Sequence, residues 1–117
     1  MILKLIAALT LGGSLAAEAQ RMRAPVVHDP STVVKERSDS WCFATGHGVS
    51  MLKQDGREWG FGGTVFPRGK WPAWHKEAVP ENKGHLWAPD VIELGDRWCV
   101  YYSVSTFGKN TSAIGMA

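Results

Sequence analysis

Cysteine is scarce: Cys42 and Cys99 are the only two in 117 residues, too few for a disulfide-stapled scaffold, and their spacing fits neither a metal site nor a redox pair. An excess of one charge is also missing. Thirteen basic against eleven acidic side chains leave a net charge of +2, which advertises no polyanion-binding surface, so nucleic acid is not an expected partner. The sequence contains no phosphate loop, nucleophile elbow or Cys–His dyad. His47, His75 and His85 lack the mutual spacing of a zinc site and read as structural or exposed, so no metal ligand set is assigned. No amphipathic helical period of useful length follows Gln20, and Gly, Pro and Asn interrupt the apolar runs every few residues.

The remaining composition is that of a globular chain, 44% hydrophobic and 21% charged, with six Trp and thirteen Gly. That pairing suits short strands joined by tight turns, with flat rings free to line a groove. The N-terminus differs from the rest. One positive charge in Met1 to Lys4, an apolar run from Leu5 to Leu15 and the small-x-small sequence Ala17-Glu18-Ala19 have the order of a secretory signal peptide. The apolar run is far shorter than the roughly 20 residues of a spanning helix. Residues 1–19 are therefore expected to be removed on export, leaving residues 20–117 as a secreted protein, extracellular or periplasmic, with no membrane partner.

The remainder reads as all-β. Expected strands are Thr32 to Lys35, Trp41 to Thr45, Val49 to Lys53, Thr64 to Phe66, Val91 to Leu94, Trp98 to Ser103 and Ser112 to Met116. The frame E-x-x-D-x-W-C occurs twice, as Glu36, Asp39, Trp41, Cys42 and as Glu93, Asp96, Trp98, Cys99, at an offset of 57. A Pro and a Val/Ile-containing strand precede each copy. Repeated multi-stranded units of this kind mark a β-propeller, each sheet a blade. The chain can supply one blade and most of a second, whereas closure needs at least four, so it is expected to be a partial propeller. Equivalent positions in neighbouring blades stand about 10 Å apart, beyond the reach of a disulfide. Cys42 and Cys99 are accordingly expected to be separate buried thiols.

Two segments head the expected blades. In His28-Asp29-Pro30, Pro30 fixes the chain direction and the Asp29 carboxylate would face the propeller axis; an Asx-type turn or a helix-cap role is the structural alternative. In Leu86-Trp87-Ala88-Pro89-Asp90, Trp87 could stack on a sugar face and Asp90 accept from hydroxyls or brace a neighbour, or Trp87 could pack blade on blade. Trp71-Pro72-Ala73-Trp74-His75 lies on a connection, as a carbohydrate contact or as a hydrophobic staple between blades.

Three stretches, Val27-His28-Asp29-Pro30-Ser31, Leu86-Trp87-Ala88-Pro89-Asp90, and Tyr101 to Gly108 continuing to Ser112-Ala113-Ile114-Gly115, resemble in order and spacing the N-terminal part of glycoside hydrolase family 43, within it the secreted endo-1,5-α-L-arabinanases. The resemblance implies a five-bladed propeller that hydrolyses arabinose- or xylose-based polymers with inversion, using a general-base Asp, a general-acid Glu and a second Asp that tunes the acid. Asp29 matches the base. Trp87 and Phe107 are implied to line sugar subsites, with His28 and Asp90 beside them. The tuning Asp and the acid Glu belong to later blades, so the 117-residue chain by itself is expected to be inactive. The family's calcium depends on later parts of the chain, and no cofactor is assigned to these residues. The implied partner is arabinan or a related plant cell-wall polysaccharide, and the complete protein is expected to be a monomer. Two alternatives accompany this reading: a non-catalytic carbohydrate-binding module using Trp71, Trp74 and Trp87, and a xylan- or arabinoxylan-active member of the same family.

Overall fold

The computed structural model describes residues 25–117; the signal-peptide reading of Met1 to Ala19 lies outside the described residues. Among them the elements are β1 (Val34–Glu36), β2 (Asp39–Ala44), β3 (Gly46–His47), β4 (Ser50–Asp55), β5 (Glu58–Thr64), α1 (Trp74–Ala78), β6 (His85–Leu94), β7 (Arg97–Ser105) and β8 (Ser112–Met116). They form two four-stranded antiparallel sheets, ordered β1-β2-β4-β5 and β3-β6-β7-β8. Tight turns set the pairing. Arg37, Gly56 and Gly95 take positive φ in the two-residue connections that close the β1–β2, β4–β5 and β6–β7 hairpins, the backbone that matches strand twist. The chain changes sheets at Thr45, between β2 in the first sheet and β3 in the second.

Strand alternation explains the core. Along β2, Trp41 and Phe43 face the second sheet while Cys42 and Ala44 face away; along β7, Trp98, Val100, Tyr102 and Val104 face the first sheet. The main core joins Val34 and Phe43 to Leu86, Val91, Val100, Tyr102 and Val104, with Val49 and Val79 filling in. Leu86 and Val104 are fully buried, each contributing about 1.5–3 kcal/mol relative to exposure. Cys42, Ala44 and Leu52 make a smaller cluster on the far face of the first sheet, with Val27 and Trp59 against it. The far face of the second sheet carries Ile92, Tyr101, Ile114 and Met116, all exposed.

Four sequence expectations are corrected by the structure. β5 occupies Glu58–Thr64, ahead of the strand expected at Thr64 to Phe66; its three glycines broke the apolar pattern, yet backbone pairing to β4 does not need side chains. β6 begins at His85, not Val91, because a bulge between Trp87 and Asp90 lets the strand absorb Pro89. The aromatic connection is partly helical, and it staples the sheets: Trp74 packs on the main core, His75 is buried, and the Trp71 ring covers Gly84. Finally, the hairpins superimpose at an offset of 58, since Glu36↔Asp39 closes the first and Leu94↔Arg97 the second. The sequence frame at 57 is one residue out of this register. A one-residue slip reverses the face a side chain points to, so Trp41 and Trp98 both point into the interface and Cys42 and Cys99 both point away from it. The two cysteines are buried and free.

Candidate functional site

The site grows from the point where the two sheets meet. Backbone bonds from Thr45 N–H to His28 O (3.0 Å) and from Ser31 N–H to Phe43 O (2.7 Å) lay residues 28–31 beside the end of β2 as an extension of β1. In the second sheet Leu86 and Trp87 pair with Val104 and Ser103 in the same way. Each extension is bent just before a proline. Asp29 has φ 48° and Ala88 φ 43°, left-handed backbone that costs a non-glycine residue about 1–2 kcal/mol. The pre-proline preference alone would give extended backbone. Asp29 and Ala88 are thus the equivalent residues of the two sheets, and Asp90 is not the counterpart of Asp29.

Asp29 projects at the junction, half-exposed. Its Oδ2 accepts from Nδ1–H of His28 and from the Thr45 hydroxyl, both at 2.8 Å. The Thr45 oxygen in turn accepts the Ala88 N–H at 2.8 Å. A single hydroxyl therefore ties the carboxylate of one sheet to the backbone of the other. The His28 hydrogen bond, followed by that of Thr45, holds the Asp29 carboxyl below the ordinary aspartate value against a weaker desolvation effect. At neutral pH it is a carboxylate, and its Oδ1 takes no hydrogen bond from the described residues.

His28 is largely exposed. Trp87 is half-buried, and its indole N–H donates to Nδ1 of His85 at 2.7 Å. His85 stacks edge-on against His47, with ring centroids 5.2 Å apart, and desolvation followed by His47 lowers its pKa, which keeps Nδ1 free to accept. Phe107 stands on the β7–β8 loop, 91% exposed. Asp90 is a brace: its Oδ1 accepts N–H bonds from Thr32 (3.2 Å) and Val91 (2.9 Å). Those two backbone bonds, Val91 first, lower its pKa, so it is ionised and poorly suited to give up a proton at neutral pH. Sequence reasoning missed Thr45 and read His85 only as structural or exposed. The closing strand pair His28 and Thr45 could be found only once β1 was extended back past Pro30. Among the described residues, no three His, Cys, Asp or Glu side chains cluster closely enough to hold a metal ion.

These sheets define a partial β-propeller with a carboxylate at the sheet junction, and the comparisons agree on the fold. No family model matches the sequence. The chain is 42% identical over 108 residues to an extracellular exo-α-(1→5)-L-arabinofuranosidase of Cellvibrio japonicus, covering 91% of this chain and 29% of that protein. It is 37% identical to an extracellular endo-α-(1→5)-L-arabinanase of Bacillus subtilis, covering 79% and 29%. Among solved structures it matches the family 43 endo-arabinanase of Bacillus licheniformis with a TM-score of 0.69 at 44% identity, covering 78% of this chain and 31% of that one. It also matches the Cellvibrio cellulosa α-L-arabinanase complexed with arabinohexaose, with a TM-score of 0.72 at 39% identity, covering 80% and 29%. The chain is a homologue of the N-terminal portion of glycoside hydrolase family 43 arabinanases, and it spans about 30% of the length of these relatives. No helix among the described residues is long and apolar enough to cross a membrane.

Proposed function

We propose that these residues form the general-base side of a secreted, inverting glycosidase acting on α-1,5-linked arabinan. The observation that carries the reading is the setting of Asp29: a half-exposed carboxylate at the sheet junction, one oxygen anchored by His28 and Thr45, the other without a hydrogen bond from the described residues. In an inverting reaction such an oxygen takes the proton of a water that attacks the anomeric carbon opposite the leaving group. The base must be ionised before attack and oriented; an aspartate is ionised at neutral pH, and the two hydrogen bonds to Oδ2 favour that state and hold the carboxylate in place. Trp87, oriented by His85, and Phe107 present ring faces for the apolar side of arabinofuranose units. In this reading the exposed His28 and the second oxygen of Asp90 serve hydroxyls. The relatives named as extracellular, together with the N-terminal sequence, support export.

Asp90 does not fit the role of general acid. Asp90 is ionised and engaged in bracing, and absence of general-acid assistance costs about 10²–10⁴ in rate. The 117-residue chain incubated with linear arabinan should therefore release no measurable reducing ends. The positive test grafts residues 25–117 onto the Cellvibrio japonicus relative in place of the segment they match. The hybrid should hydrolyse arabinan, and Asp29→Asn should reduce its kcat by at least about 10². A hybrid that hydrolyses arabinan equally well with asparagine at position 29 would overturn the assignment.

A further inference from the structure

We infer that Thr45 is a positioning residue for Asp29, acting as a two-way hydroxyl clamp that fixes the candidate base to the backbone of the neighbouring sheet. The inference rests on Asp29 being the base, but the clamp itself can be read without hydrolysis. A hydroxyl has one proton to give. The Ala88 N–H can only donate, and it points at Thr45 Oγ1 at 2.8 Å. The Thr45 proton is thereby left for the acceptor on its other side, Asp29 Oδ2, also at 2.8 Å. The direction of the relay is fixed by chemistry: amide to hydroxyl to carboxylate.

The placement of this hydroxyl follows from the fold. Thr45 stands where the chain leaves the first sheet for the second, and its own N–H is fixed by His28 O. The clamp spans the equivalent left-handed residues Asp29 and Ala88. These are the least favourable backbone positions of their strands, and each precedes a proline that removes the next N–H as a ladder donor. Ala88 has no side-chain hydrogen-bonding group of its own, so Thr45 supplies the partner that its backbone would otherwise seek in water. One side chain thereby holds both bends and leaves Oδ1 of Asp29 as the reactive oxygen.

NMR on the 117-residue chain tests this through two probes that a merely space-filling Thr45 would not couple: the titration of the Asp29 carboxyl carbon and the hydrogen exchange of the Ala88 amide. Other titrating groups near the junction, His28 on the same segment, His47 on β3 and His85 and Asp90 on β6, are followed in the same spectra. Thr45→Val should move the Asp29 midpoint up toward the ordinary aspartate value and make the Ala88 amide exchange about tenfold faster. Thr45→Ser, which keeps the hydroxyl, should restore both. Should the valine variant fail to fold, Thr45→Ala carries the same comparison. An Asp29 midpoint unchanged by hydroxyl removal in a folded chain, or an Ala88 amide already unprotected in the wild type, would overturn the clamp. If the clamp holds while Asp29→Asn leaves the hybrid's hydrolysis intact, it is the base assignment that falls.

Discussion

The hydroxyl of Tyr102 lies 2.9 Å from Nε2 of His75, both side chains almost wholly buried. This bond joins the middle of β7 to the short helix of the connecting link, so the link is part of the core. Phe66 packs edge-on against both rings. Nδ1 of His75 has no partner among the described residues. The bond is thus the single polar anchor of the imidazole, and Tyr102→Phe should destabilise the chain by about 1–3 kcal/mol, the cost of a stranded buried polar group. Urea unfolding followed by tryptophan fluorescence measures it; an unchanged midpoint would show that the link is held by packing alone.

Burial lowers the pKa of His75, because the charged imidazole loses its hydration there. The sign of the pH effect follows. Above the ordinary histidine value of about 6.5, the folded and unfolded chains are equally deprotonated at this residue and it adds no pH dependence. As pH falls below that value, the unfolded chain binds a proton that the folded one refuses, so stability declines until the lower folded-state value is reached. His85 shifts the same way. Stability measured from pH 7.5 down to pH 5 should fall, and His75→Gln should flatten part of the slope.

Gly84 has φ +86°, and a Cβ there would stand 2.5–2.6 Å from the Trp71 ring. Its N–H is bound by Asn82 Oδ1 and its carbonyl by the Gly48 N–H, so the backbone has no freedom to retreat. Gly84→Ala combines left-handed strain with overpacking and should cost about 2–4 kcal/mol. Gly95 also has positive φ but faces open space, and Gly95→Ala should cost only about 1 kcal/mol. Thermal unfolding of the two variants side by side tests the difference.

Asp90 links the sheets by accepting the Thr32 N–H, and it also accepts the N–H of its strand neighbour Val91. Its folded pKa is depressed, so its contribution to stability is present above the ordinary aspartate value and is lost as pH falls through the lower folded value. The group is exposed to water, which limits the effect to at most about 1 kcal/mol. Asp90→Asn keeps an acceptor oxygen but not the charge, and should remove this acid-limb dependence while leaving the fold intact by amide spectra.

Much of this organisation is legible in the residues. The two proline-headed segments mark the strands that meet at the junction, and the repeated Trp-Cys frame announces two related sheets. The register is not legible from that frame, because one copy places Glu36 at the turn itself and the other places Glu93 one residue before it. β5 is obscured by Gly60, Gly62 and Gly63, which pair by backbone without an apolar signature. Asp29 stands out in the sequence as a carboxylate beside a proline. Thr45 does not, since its role depends on a pairing with His28 and a contact to Ala88 that lie 17 and 43 residues away.

The most direct test replaces the Asp29 carboxylate by hydrogen and supplies an external nucleophile. In the hybrid enzyme, Asp29→Gly should abolish attack by water, and added azide, which needs no base, should restore turnover of an α-configured aryl arabinofuranoside. Proton NMR of the product should then show the β-arabinofuranosyl azide, formed by attack from the face where Asp29 stood. Azide-independent turnover by the glycine variant, or an α-configured azide, would contradict the account.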